Sequence, residues 1–177
     1  MKLISFTFFI IIFCACCQPE PASPIDIYWG TSSLIINNQS FEFKPYFVNT
    51  PDNEKINIYL DRFNEYNFHR THLAFGLIEK SKYILDTLYA FDPIGNNANE
   101  YSVLNTYIDD GHILGNVYKL MDLDNYLEIT SWDSVKNEVK GIFELNFAID
   151  SRFVKSDING PDTIRIKNGT FHTRLID

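Results

Sequence analysis

Four histidines and three cysteines are the residues with the sharpest chemical potential in this chain, and they fall in separate places. Cys14, Cys16 and Cys17 close an apolar run near the start, while His69, His72, His112 and His172 lie far downstream. No cysteine therefore has a histidine at zinc-site spacing. His69-Arg-Thr-His72 has the i, i+3 separation that shares a face on a helix. On a strand the same odd separation sends the two rings to opposite faces. The alternation Leu73, Phe75, Leu77 that follows reads as strand, so the pair is expected to be solvent-facing or partly packed. No metal ligand and no cofactor is expected.

The acidic residues point to calcium more than to catalysis. Asp122-x-Asp124-Asn125 begins like a calcium loop, but Tyr126 and Leu127 stand where an EF-hand needs an oxygen ligand and a glycine. Asp92 to Glu100 gathers five oxygen-bearing side chains without a fixed spacing and reads as a solvated turn. There is no Gly-x-Ser-x-Gly elbow and no phosphate-cradling glycine loop. Glu128, Asp133 and Glu144 lie on or beside strands, where a carboxylate pair across a cleft would serve a glycosidase. With 23 acidic residues such pairings arise by chance, so no catalytic residue is assigned and an enzyme is not expected. The best remaining clue is aromatic. Strict alternation puts Tyr126 and Trp132 on one face with Glu128 and Thr130, opposite Leu127 and Ile129. Such a face binds sugar rings or a protein partner. The competing reading, which we favour, has Trp132 filling the core of a strand buried on both faces.

The elements that must position these groups are strands. Aromatics reach 15% while Ala occurs six times, a balance that favours strand over helix. Val139 to Asp150 alternates with Val139, Gly141, Phe143, Leu145, Phe147 and Ile149 on one face, the mark of a half-buried antiparallel strand. Leu34–Ile36, Phe41–Val48, Lys55–Asp61, His72–Glu79, Lys82–Phe91, His112–Met121, Tyr126–Trp132 and Asp162–Ile176 read the same way. Only Ala98 to Tyr107 has room for a short helix. Asn168-Gly169 is a hairpin signal, yet 162–176 also fits one long strand bulged at Gly169, and its match in length to 139–150 favours the strand. The expected fold is all-β, an antiparallel β-sandwich or partly closed barrel of about eight to ten strands.

The first seventeen residues are an address. Lys2 precedes an apolar stretch, Leu3 to Phe13, that is too short to span a bilayer and reads as a signal-peptide core. Phe13-Cys14-Ala15-Cys16 resembles the lipobox of bacterial lipoproteins, with Cys16 as the acylated residue and Cys17 as the alternative. Three prolines between Gln18 and Pro24 make a stiff, extended spacer. The expected organisation is a signal peptide at 1–15, a Pro-rich tether at 16–26 and a single β domain at 27–177. No Asp follows either cysteine, so the lipoprotein resemblance implies the outer membrane, on either leaflet.

The later segments Asn125-Tyr-Leu-Glu-Ile-Thr-Ser-Trp-Asp133, Val139-Lys-Gly-Ile-Phe-Glu-Leu-Asn-Phe147 and Asp162-Thr-Ile-Arg-Ile-Lys-Asn-Gly-Thr-Phe171 resemble an uncharacterised family of small all-β lipoproteins from Gram-negative gut and environmental bacteria. Its members carry a Gly-x-Phe strand and a terminal Ile-x-x-Gly-x-Phe strand. The resemblance implies fold and location; its motifs are structural glycines and aromatics and bring no catalytic residue. Charge excludes one class of partner. Fifteen cationic against 23 acidic residues leave a net −8 with no basic patch, which argues against nucleic acid. The function expected is a membrane-anchored binding or interaction module with a glycan or protein partner. The alternatives are a lipocalin-like carrier of a small apolar ligand, which needs a roomy interior, and, behind it, a carboxylate-dependent hydrolase.

Overall fold

The computed structural model describes residues 27–50, 55–79, 101–108, 111 and 113–175. Among these residues there are nine strands and no helix. They are β1 (Thr31–Ile36), β2 (Gln39–Asn49), β3 (Lys55–Phe63), β4 (His69–Glu79), β5 (Tyr101–Ile108), β6 (Ile113–Leu120), β7 (Tyr126–Asp133), β8 (Glu138–Ile149) and β9 (Thr163–Arg174). All pair antiparallel in one sheet, in the order β6-β5-β4-β3-β2-β1-β9-β8-β7. Tyr118–Leu120 of β6 also pair with Phe147–Ile149 of β8, so the sheet curls until its two ends meet. The ring is not a regular barrel, because β6 and β7 share one edge of β8 in tandem. The all-β class expected from the period of two is what the chain adopts.

Alternation places the core. Phe43 and Phe47 of β2, Ile58 and Leu60 of β3, Leu73 and Phe75 of β4, and Leu104 of β5 point inward and are buried. From the other side come Tyr118, Phe143, Leu145, Phe147 and Phe171. The two Gly-x-Phe motifs interlock across β8 and β9: Gly141 faces Phe171, and Phe143 faces Gly169. A Cβ added to either glycine would fall well inside 3.0 Å of the opposing ring. Each glycine is therefore the seat of the other strand's phenylalanine, the arrangement in which an aromatic covers a cross-strand glycine.

Bulges interrupt the strict period at several points. Between the pairs Phe143–Gly169 and Leu145–Ile166, Lys167 and Asn168 together oppose Glu144, one residue too many, and Asn168 takes the left-handed conformation at φ 50°. The chain from Thr163 to Arg174 is thus one bulged strand, with the bulge just before Gly169. A second bulge at Thr130 separates Ile129, opposite Gly141, from Ser131, opposite Lys140. A third at Arg70 separates Thr71, opposite Arg62, from His69, opposite Phe63. The one stretch with room for a short helix holds none among its described residues: Tyr101 to Tyr107 belong to strand β5, which was absent from the expected strands. Val103 and Leu104 bury neighbouring positions on both faces there, which hides the period of two. The strand expected at 82–91 lies outside the described residues.

Outside the ring, the loop from Asp150 to Pro161 covers β6. Phe153 packs on Ala74, Val103 and Val117. The buried Asn116 amide donates to the Tyr118 hydroxyl at 3.3 Å and to the Asp157 carbonyl at 3.0 Å, and Tyr118 donates to the Pro161 carbonyl at 2.8 Å.

Candidate functional site

Asp61 is a charged residue near the end of β3, on the outer face of the ring, yet its side chain is only 5% exposed. Cross-strand pairing sets His72 of β4 directly opposite it. His69 would point inward if β4 alternated without interruption. The Arg70 bulge adds one residue between His69 and Thr71, which returns His69 to the outer face opposite Phe63. Both rings then reach the same carboxylate oxygen: His72 Nδ1 lies 2.6 Å and His69 Nε2 3.0 Å from Asp61 Oδ1. The Tyr28 hydroxyl donates to the other oxygen, Oδ2, at 2.8 Å. The expectation that His69 and His72 occupy opposite faces is overturned, because the bulge adds the one residue that makes their separation even in effect.

The rings are held by stacking. His69 lies between Phe63, at 5.1 Å and 24°, and Tyr107, at 4.5 Å and 19°. His72 stacks on Tyr59 at 5.4 Å, and Tyr59 on Tyr46 at 4.9 Å. Burial by itself would push the Asp61 carboxyl upward; hydrogen bonds from His69 and His72, the charge of His72 and the Tyr28 hydroxyl outweigh it and bring its pKa down to about 2. The carboxylate stays ionised across the physiological range. Burial first, then the Asp61 charge, pushes the Tyr46 and Tyr107 phenols up, so both remain neutral donors. Asp61 Oδ1, His69 Nε2 and His72 Nδ1 lie within 4.8 Å of one another, a donor set able to hold a metal ion.

Asp61 also borders an open groove of about 570 Å³ running over β1, β2 and β3. Ser33, Glu42, Lys44, Phe63 and Asn67 line it with Asp61. The Lys44 ammonium sits 5.2 Å from the Phe63 ring centre and 5.7 Å from that of Tyr28.

The residues singled out from sequence fare differently. The Thr130 bulge splits the proposed aromatic face. Trp132 pairs with the buried Val139 and packs on the core against Phe47 at 5.8 Å, whereas Tyr126 pairs with Glu144 on the outer face. Burial, then the charges of Glu144 and Glu128, pushes the Tyr126 phenol up. Asp133 closes the β7–β8 turn, its Oδ1 accepting from the Val135 and Lys136 amides. Asn125 ties the 121–125 loop by donating to the Met121 and Leu123 carbonyls and accepting from the Asn146 amide. His172 pairs with Glu138 at 3.1 Å. Cys16, Cys17, the Asp92–Glu100 loop and His112 lie outside the described residues.

Asp61 was not singled out from sequence. The available signal was slight: it is an acid on the polar face of an otherwise apolar strand, eight residues before an odd-spaced histidine pair that follows a turn rich in Asn. No protein-family model, curated protein or solved structure matches the chain.

Proposed function

We propose that this protein is a lipid-anchored binding module of the bacterial outer membrane that engages its ligand on the outer face of the ring. The observation that carries this reading is the contrast between inside and outside. The interior is filled by Phe75, Phe143, Phe171, Tyr118 and their neighbours, most of them without solvent exposure. The outer face instead offers a groove where Phe63 and Lys44 adjoin Ser33, Glu42, Asp61 and Asn67. An aromatic ring flanked by polar side chains suits a sugar ring or a polar peptide better than an apolar ligand. The packed interior therefore favours the module over a carrier of the lipocalin kind. The cysteine cluster at residues 14–17 and the proline-rich spacer support the anchor, in keeping with the resemblance to small all-β lipoproteins. Titration of the protein with envelope oligosaccharides, read by Lys44→Glu and Phe63→Ala variants, tests the groove. Saturable binding lost in both variants supports the reading; binding unaffected by either substitution places recognition elsewhere.

A further inference from the structure

We propose that Asp61, His69 and His72 form a mononuclear binding site for a divalent first-row transition-metal ion, with Zn²⁺ as its simplest probe. This inference goes beyond the anchored module and stands or falls independently of the anchor.

Three features separate the cluster from an ordinary buried ion pair. The donors come from two strands and converge on one point: His69 Nε2 and His72 Nδ1 both meet Asp61 Oδ1, with all three atoms inside 4.8 Å. Bonds of about 2.0–2.2 Å in tetrahedral geometry set ligand atoms about 3.4 Å apart, so the present 2.6 and 3.0 Å need to open by less than about 1 Å. Small ring and carboxylate rotations supply that. Second, both imidazoles are clamped in aromatic stacks, His69 by Phe63 and Tyr107 and His72 by Tyr59, so the donor atoms stay aimed. Third, the Tyr28 hydroxyl already orients Asp61 through Oδ2, leaving Oδ1 for a ligand bond, as a metal's outer shell does. Two imidazoles and one carboxylate suit zinc and its first-row neighbours and do not suit calcium or magnesium, which favour all-oxygen shells. The histidine side chains are 24% and 19% exposed, so an ion can enter from solvent and keep an open coordination position.

The test uses the full chain with Cys14→Ser, Cys16→Ser and Cys17→Ser, which removes every thiol and leaves the site intact. Titration with Zn²⁺ should saturate at one ion per chain and raise the melting temperature. Co²⁺ should develop visible d–d absorption, read on the intact triad so that the result does not depend on a variant folding. His69→Gln and His72→Gln should each abolish both signals, whereas His172→Ala should preserve them. Tyr28→Phe should weaken the affinity about 10–100-fold. No saturable binding to the thiol-free chain, or binding that survives the double His69→Gln/His72→Gln substitution, overturns the proposal. Either result leaves the oligosaccharide titration and the acylation of Cys16 untouched, so the two readings fail separately.

Discussion

The interlocked Gly–Phe pairs of β8 and β9 allow a stability prediction to be worked in both directions. Phe143 has no solvent exposure, meets Phe75 edge-on at 5.0 Å and covers Gly169. Phe143→Ala removes a fully buried ring from a core that cannot close over it, at a cost of about 3–5 kcal/mol. At about 2–4 °C per kcal/mol, the melting temperature should fall by roughly 10 °C. Gly169→Ala acts from the other side. Gly169 does not have positive φ, so alanine suits its backbone and the penalty is purely steric. The new Cβ would lie well inside 3.0 Å of the Phe143 ring, which must retreat by about 0.5–1 Å at a cost of about 1–3 kcal/mol. In the Phe143→Ala background that collision is gone, and the same alanine should be neutral or slightly stabilising. Urea unfolding of the four species, followed by circular dichroism, should give a coupling energy of about 1–3 kcal/mol. Equal destabilisation by Gly169→Ala in both backgrounds would refute the seating argument. A Phe143→Ala cost below about 1 kcal/mol would refute the register of β8 itself.

Asp150 supplies a pH dependence. Hydrogen bonds from Arg152, aided by its charge, hold this carboxyl below its usual value against the effect of burial, so the stability it contributes is present above the unfolded pKa and drains away as pH falls through the lower folded value. Asp150→Asn should flatten the acid limb of a melting-temperature profile without steepening the alkaline one. Asn116→Ala should cost about 1–3 kcal/mol, because the Asp157 carbonyl and amide lose the partner that pins the covering loop to β6; faster proteolysis between Asp150 and Pro161 would report it. Cys16→Ser with Cys17→Ser should abolish labelling by a palmitate analogue and release the protein from membranes, while Cys17→Ser alone should stay anchored. Charge cannot substitute for the lipid: a chain starting at Cys16 loses Lys2 and keeps 14 cationic against 23 acidic residues, a net −9 repelled by anionic lipid. Label retained by the double variant would show that neither cysteine carries the lipid.

Alternation of apolar residues by itself determined the all-β class and the inward faces of β2, β3 and β8, because a half-buried strand must repeat every two residues. The pattern around Asn168-Gly169 likewise contained the long bulged strand. It could not reveal which residues a bulge displaces, since one extra residue leaves composition and local propensity unchanged while flipping everything on one side of it. At Thr130 that flip sends Trp132 into the core and parts it from Tyr126. At Arg70 it brings His69 round to join His72 on Asp61, a residue eight positions earlier on another strand. β5 went unrecognised for a related reason: Val103 and Leu104 are buried on opposite faces once the loop bearing Phe153 covers one of them, and only the tertiary structure supplies that cover. The donor types were all visible in the chain. Their convergence depended on the register of β3 against β4, which cross-strand hydrogen bonds decide and sequence spacing does not.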